Sequence, residues 1–482
     1  MSIAFLDFFR YSEGDLSLDL RQGLGYNYCK ELKQKEKTVE FGKIITVDFS
    51  KRDGKIRPLT GLNAGPVLSA CGKKLDLTEV YLDMNIPAVR LADVEPPYGN
   101  NQLVDIHCIF PDFSADPEDP SSYNFLETDR YVAAVRAAGA EPVLRFGESP
   151  DEYERKLFVK APKDLEKWAS VCVHTVMHYN EGFADGYKWK LKYFEIWDLP
   201  ELPSGFVGDA EEFYSLYATV SKALKASFPK IKVGGFGALG FSGLNRLDAP
   251  DAYKASPEYV DKFLSYQKSA GAPLDFFSWY CYAETPEEIA LHAQYARNLL
   301  DSSGFKRTAS HIAGFNLEKA GNGAYPGYSA DVAASLVTAQ RSGIEMMFYN
   351  DARPFGERNA LYTTDGRAVR FSSARSALYA FGRLQRLGSS VESLGDSRRE
   401  LYSLAARDKD RAVIMVVARE YSGKLEIRLR NPEFSSFTVR RFYEGEDGAP
   451  LDRSKENIPL GGNKIVVSVE RGDVYLLEFF NL

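Results

Sequence analysis

The sequence predicts an α/β chain: a (β/α)8 TIM barrel followed by an accessory antiparallel β-sandwich. Three observations carry that prediction. From residue 60 onward, short apolar runs alternate with helical stretches, the rhythm of repeated βα units in a parallel barrel. After about residue 370 the texture changes to short period-two or fully apolar segments broken by Gly, Asn, Pro or Asp. The 482 residues are too many for one ordinary domain, yet they suit a barrel of about 250 residues plus a smaller module.

In chain order, residues 1–59 contain VEFGKIITVDFS, whose apolar and polar positions alternate before a Lys-Arg-Asp-Gly turn at 51–54. A lone strand ahead of a barrel needs sheet partners for its backbone, so it is expected to join the sandwich. The barrel is expected over 60–372, with strands TGLNAG (60–65), PAVRLA (87–92), EPVLRF (141–146), KYFEIW (192–197), IKVGGF (231–236), DFFSWYCY (275–282), TASHIAGFN (308–316) and EMMFYND (345–351). Between them lie amphipathic segments such as AEEFYSLYATVSKALKASF, where apolar residues recur at three and four and Gly208-Asp209 supplies an N-cap. Residues 373–482 carry the sandwich strands VIMVVARE, LEIRLR, FTVRRFYE, KIVVSVE and VYLLEFF.

A net charge of −7 offers no basic field to hold nucleic acid or an anionic membrane, so neither is an expected partner. Aromatic residues make up 13%, which fits large cores first and sugar-stacking surfaces second. Cys29, Cys71, Cys108, Cys172 and Cys281 form no cluster with metal-ligand spacing, and they are read as reduced and mostly buried. The N-terminal stretch lacks a basic n-region and a long apolar core, and no apolar run approaches the roughly 18 residues of a membrane span. A cytoplasmic location is the expectation.

Barrel enzymes keep their chemistry at the C-terminal ends of the strands. There the segments VDIHCIFPDF (104–113), YFEIWDLPEL (193–202), DFFSWYCY (275–282) and SHIAGFN (310–316) resemble glycoside hydrolase family 39, the β-xylosidase and α-L-iduronidase group. The resemblance runs from about 60 to 380 and extends to the flanking strand and sandwich. It implies retaining glycosidase chemistry, with an acid/base Glu in a Trp-Asn-Glu-Pro turn after strand four and a nucleophile Glu in a Glu-Trp-Asn turn after strand seven. Retention requires two carboxyl groups about 5 Å apart. At the first turn this chain reads Trp197-Asp198-Leu199-Pro200, and at the second Gly314-Phe315-Asn316. Leu199 and Gly314 therefore stand at the acid/base and nucleophile positions. The family's sugar-contacting His after strand two is matched by Ala92 ahead of Asp93, and its Trp-His-x-Tyr run after strand six by Trp279-Tyr280-Cys281-Tyr282.

The remaining candidates for contact with a ligand are Asp93, Glu148, Trp197, Asp198, Trp279, Tyr280, Phe315, Asn316 and Asp351, with Arg145 as the neutralising partner of Glu148. Asp198 is equally readable as a loop carboxylate. Tyr280 is read as a filler of the vacated pocket ahead of a sialidase-type tyrosine nucleophile. Asp105, His107 and Asp112 form a loop staple rather than a metal or proton-relay cluster, because a Pro loop fixes no coordination geometry. His174 and His178 lie four apart on an outer helix without HExxH, and GGFGALGFSGL (234–244) has no phosphate-loop signature and reads as a flexible loop. No cofactor or metal is expected.

Three readings follow. The leading one is a non-catalytic pseudoenzyme that binds a carbohydrate or a partner, as a homo-oligomer or beside an active paralogue. The second is a glycosidase or lyase using relocated carboxylates such as Asp93, Glu148, Asp198 or Asp351. The third is a scaffold whose barrel mouth is plugged by Leu199, Tyr280 and Phe315.

Overall fold

The computed structural model describes residues 42–70, 73–91, 104–150, 158–318, 325–353, 359–365, 367–397, 399–445 and 449–481. Asp93, Cys29 and Cys71 lie outside them. Eight parallel strands close a barrel: β1 (Gly61–Leu62), β2 (Ala88–Arg90), β3 (Glu141–Phe146), β4 (Tyr193–Ile196), β5 (Lys232–Ala238), β6 (Phe276–Ala283), β7 (Ala309–Leu317) and β8 (Met346–Tyr349). Each overlaps one of the eight expected runs. Helices follow the strands, from Thr78–Met84 after β1 to Ala374–Gln385 after β8, and the last helix packs between Tyr328–Arg341 and Thr78–Met84 to complete the outer ring.

Period-two alternation divides each barrel strand between the interior and the helix layer. Ala88, Val143, Met346 and Phe348 form a small apolar cluster of their own, with Tyr193 packed against it. Two residues further along β2, β3 and β4, on the same face, come Arg90, Arg145 and Glu195. Register then places Arg145 beside Glu195 and Tyr280 beside Gly314. The interior thus changes from apolar to charged toward the C-terminal ends.

The appended module is a nine-stranded sheet in which Lys43–Lys55 pairs antiparallel with Ser389–Leu394 and parallel with Gly423–Arg430. One face gathers Ile45, Val47, Phe49, Ile414, Val416, Ile427 and Leu477 into a core of its own, while Leu404, Met415, Val417 and Leu476 on the other face join the barrel's core. The expected turn at 51–54 is instead part of the long strand. Its pairing slips between Asp48 and Arg52 and again before Gly54, so the turn-forming residues serve as a bulge. The glycine run 234–244 is also corrected: Gly234 to Ala238 belong to β5. A Cβ on Gly234 would meet Phe276 O at 2.1 Å, and one on Gly237 would meet Asp198 Oδ1 at 2.0 Å. Close backbone approach, rather than looseness, explains these glycines.

Candidate functional site

Arg90 is the centre of the barrel mouth. Its side chain is 1% exposed, and it donates from Nε to Glu195 Oε2 at 2.6 Å, from Nη1 to the Tyr280 hydroxyl at 2.9 Å and from Nη2 to Asp198 Oδ1 at 2.7 Å. The Tyr280 hydroxyl donates to Asp198 Oδ2 at 3.1 Å, and Ser278 Oγ donates to Glu195 Oε1 at 2.5 Å. A buried guanidinium needs this many acceptors, because an unpaired charge in a low-dielectric interior is costly. Burial pushes the Asp198 carboxyl up to about 6, against the opposing pull of Arg90.

Tyr280 also accounts for the glycine at 314. A Cβ built on Gly314 would lie 2.5 Å from Cε1 and 2.6 Å from Cδ1 of the Tyr280 ring. The ring occupies the space in which a side chain at 314 would begin. Leu199 has φ 49° and is half-buried, and its N–H donates to Gly237 O at 3.3 Å. Glu201, two positions further, accepts from Leu239 N and Ser256 Oγ at 3.0 and 3.1 Å, and burial raises its carboxyl to about 7.

A second cluster stands on the loops after β2 and β3. Glu148 accepts from the His107 backbone N–H at 3.2 Å, and its Oε2 lies 2.5 Å from His107 Nδ1. Burial raises Glu148 to about 7 while His107 opposes the shift. Burial acts to lower His107, but its contacts with Cys108 and Glu148 outweigh that and carry it up to about 10. Arg145 pairs with Asp105, not with Glu148 as expected from sequence, and Ser149 N and Oγ add bonds to Asp105 at 2.6 and 2.9 Å. Arg145 Nε and Nη1 are buried without an acceptor among the described residues. Ligand atoms of Asp105, His107 and Glu148 fall within 4.8 Å of one another, close enough for a metal ion. Both carboxylates are already engaged by Arg145, Ser149 and His107, so the donor set fits a staple better than a cation cage. Asp112 caps Ser114 instead and takes no part.

Several sequence candidates lie elsewhere. Trp197, Trp279 and Phe315 are at most 1% exposed and pack in the core shared with the helices. Trp197 leaves the strand alternation at φ 70° and donates to Gly205 O, while Trp279 donates to Ser310 Oγ, both at 2.8–2.9 Å. Phe315 therefore plugs no mouth. Asn316 donates to Asn350 O at 2.6 Å and accepts from the Tyr328 hydroxyl at 2.6 Å, a structural role. Asp351 is held by Arg353 and lies near Asn63, whose amide also reaches Asn350. His174 and His178 are packed histidines with separate partners: Ser170 O for the first, Asp129 and Phe183 O for the second. The sequence reading missed Arg90, Glu195 and Ser278. Opposite charges inside the otherwise apolar runs PAVRLA and KYFEIW were the available signal.

Beside the network, a cavity of about 230 Å³ opens between the β5 loop and the ends of β6 and β7, lined among others by Tyr280, Tyr282, Arg246, Glu284 and Glu318. Tyr280 and Tyr282 stack 6.0 Å apart.

The chain thus combines an eight-stranded parallel barrel, an appended antiparallel sheet and polar groups gathered at the barrel's strand ends. It is similar to the glycosyl hydrolases of family 39, whose model matches residues 85–303. It is similar to a β-xylosidase of Geobacillus stearothermophilus, with 27% identity over 248 residues, 45% of this chain and 46% of that one. The match therefore spans less than half of that relative. Its fold is similar to a crystal structure of a glucosidase from Croceicoccus marinus (TM-score 0.73, 22% identity, 92% of this chain and 100% of that one). It is also similar to the GH39 enzyme from Xanthomonas axonopodis pv. citri (TM-score 0.64, 15% identity, 92% and 98%). Among the described residues, no helix is long and apolar enough to cross a membrane.

Proposed function

We propose that this chain is a non-hydrolytic, carbohydrate-binding relative of the family 39 glycosidases. The observation that carries the reading is the position of Tyr280, whose ring fills the space above Gly314 while its hydroxyl is tied to Arg90 and Asp198. A nucleophile at 314 cannot be accommodated without moving that ring, and Leu199 can neither give nor take a proton. Asp198 and Asp351, two of the carboxylates open to relocated chemistry, are each held by an arginine. The neighbouring cavity is large enough for one sugar ring, and it combines stacked tyrosines with charged groups able to bond hydroxyls.

The test is a panel of nitrophenyl glycosides, the β-xyloside first, together with calorimetric titration of xylose and xylobiose. The expected result is no turnover, with binding that weakens about tenfold or more when Tyr282 is replaced by Ala. Turnover that follows the protein through purification would overturn the reading. The relocated-carboxylate alternative draws on Glu148, whose carboxyl near 7 suits a general acid. Loss of such turnover in Glu148→Gln would favour it.

A further inference from the structure

Three side chains in the second cluster are arranged in series. Cys108 Sγ lies 3.4 Å from His107 Nε2, and His107 Nδ1 lies 2.5 Å from Glu148 Oε2. Phe158 stacks on the imidazole with ring centroids 3.7 Å apart and planes inclined by 7°, which fixes the ring between its two partners. A thiol next to an imidazole, with the imidazole's far nitrogen held by a carboxylate, is the arrangement that activates a sulfur nucleophile. The carbohydrate-binding reading uses none of the three.

We infer that Cys108 is an activated thiol and a site of mixed-disulfide formation with low-molecular-weight disulfides. His107 takes the thiol proton, and Glu148 holds the imidazolium in place. The thiolate then attacks one sulfur of the disulfide R–S–S–R. A bond forms between Sγ and that sulfur, the original S–S bond breaks, and its electron pair leaves on RS⁻, which takes up a proton from the imidazolium. One disulfide is exchanged for another, so no further oxidant is needed.

The surroundings favour this cysteine over its neighbours. Cys108 and His107 are half-buried, whereas Cys172 and Cys281 are buried. Burial, with the field of Glu148, pushes the Cys172 thiol well up, and burial pushes Cys281 up as well, so both stay protonated. The remaining charged groups at the cluster, Asp105 and Arg145, are bonded to each other. His107, lifted by its contacts with Cys108 and Glu148, is the cation that a thiolate requires.

The experiment is incubation of the full chain with oxidised glutathione at neutral pH, followed by intact mass and peptide mapping. The Cys108 peptide is expected to carry the adduct roughly tenfold or more faster than the same thiol in the urea-unfolded chain, and Cys108→Ser to remove the fast phase. His107→Gln is expected to slow that phase about tenfold, with Glu148→Gln intermediate. An unchanged rate in His107→Gln, or a Cys108 no faster than in the unfolded chain, would overturn the inference. The pH profile of the unmodified protein decides independently of whether any variant folds. A rate that falls by clearly less than tenfold per pH unit below about pH 8 supports activation, and the roughly tenfold loss per pH unit of an ordinary thiol refutes it.

Discussion

Tyr280 and Gly314 are neighbours across β6 and β7, so a large ring on one strand depends on an absent side chain on the other. Gly314→Ala puts a methyl 2.5 Å from that ring and is expected to cost about 1–3 kcal/mol in urea unfolding. Combined with Tyr280→Ala the clash disappears, so a double-mutant cycle is expected to show coupling of about 1 kcal/mol or more. For the same reason, restoring glutamates at 199 and 314 without shrinking Tyr280 is expected to yield no hydrolysis. Arg90→Met leaves Glu195 and Asp198 buried without their cation, a loss of about 3–5 kcal/mol by the same measurement. Titration adds a signed prediction at Glu148. Its folded value of about 7 lies above the ordinary 4.5, so its contribution to stability is full below that ordinary value and is lost as pH rises through the folded one. His107, raised to about 10, has the same sign over a higher window. His311 and His292, lowered by burial to about 3 and about 4, have the opposite sign: their contribution is full above the ordinary 6.5 and is lost as pH falls. These slopes oppose one another, so the difference between variant and parent is the clean observable. Glu148→Gln is expected to gain stability relative to the parent as pH rises from about 5 to about 7, and a flat difference would refute the assignment.

Among the elements, local signals were legible where the chain decides its own conformation. Asp209 caps helix Ala210–Ser227, accepting from Glu212 N at 2.8 Å while Glu212 returns a bond to the Asp209 N–H, as Gly208-Asp209 foretold. Asp209→Ala is expected to cost about 1 kcal/mol in chemical denaturation. Lys51 to Gly54 misled because turn residues and bulge residues share one chemistry, and only the pairing with Ser389–Leu394 separates the two. The glycines of β5 misled in the same way. What they make room for, Phe276 on β6 and Asp198 just past the end of β4, comes from elsewhere in the barrel.

Over residues 42–482, barrel and sheet are joined by a shared core and by buried and half-buried polar links. Arg419 Nε donates to Asp331 Oδ1 at 2.5 Å, the Tyr402 hydroxyl donates to Glu287 at 2.6 Å, and Glu444 accepts from the N–H groups of Gly327 and Ser329. Residues 42–482 cluster as one compact unit. Calorimetry is therefore expected to show one cooperative transition for that unit, and two resolved transitions would refute the coupling. A barrel expressed without the sheet is expected to aggregate, because it would expose the apolar contacts that Leu404, Met415 and Leu476 now cover.

The sequence by itself determined the eight strands, the return of the N-terminal strand to the sandwich, and the absence of glutamate at 199 and 314. Hydrophobic period and residue identity are local properties, and they survive in one dimension. Tertiary structure alone decided that Trp197, Trp279 and Phe315 face the helices, that Arg145 pairs with Asp105, and that Arg90 ties Glu195, Asp198 and Tyr280 into one network. Partners 105 to 190 residues apart in the chain meet only through barrel register, and a one-residue change of phase sends a side chain to the opposite face.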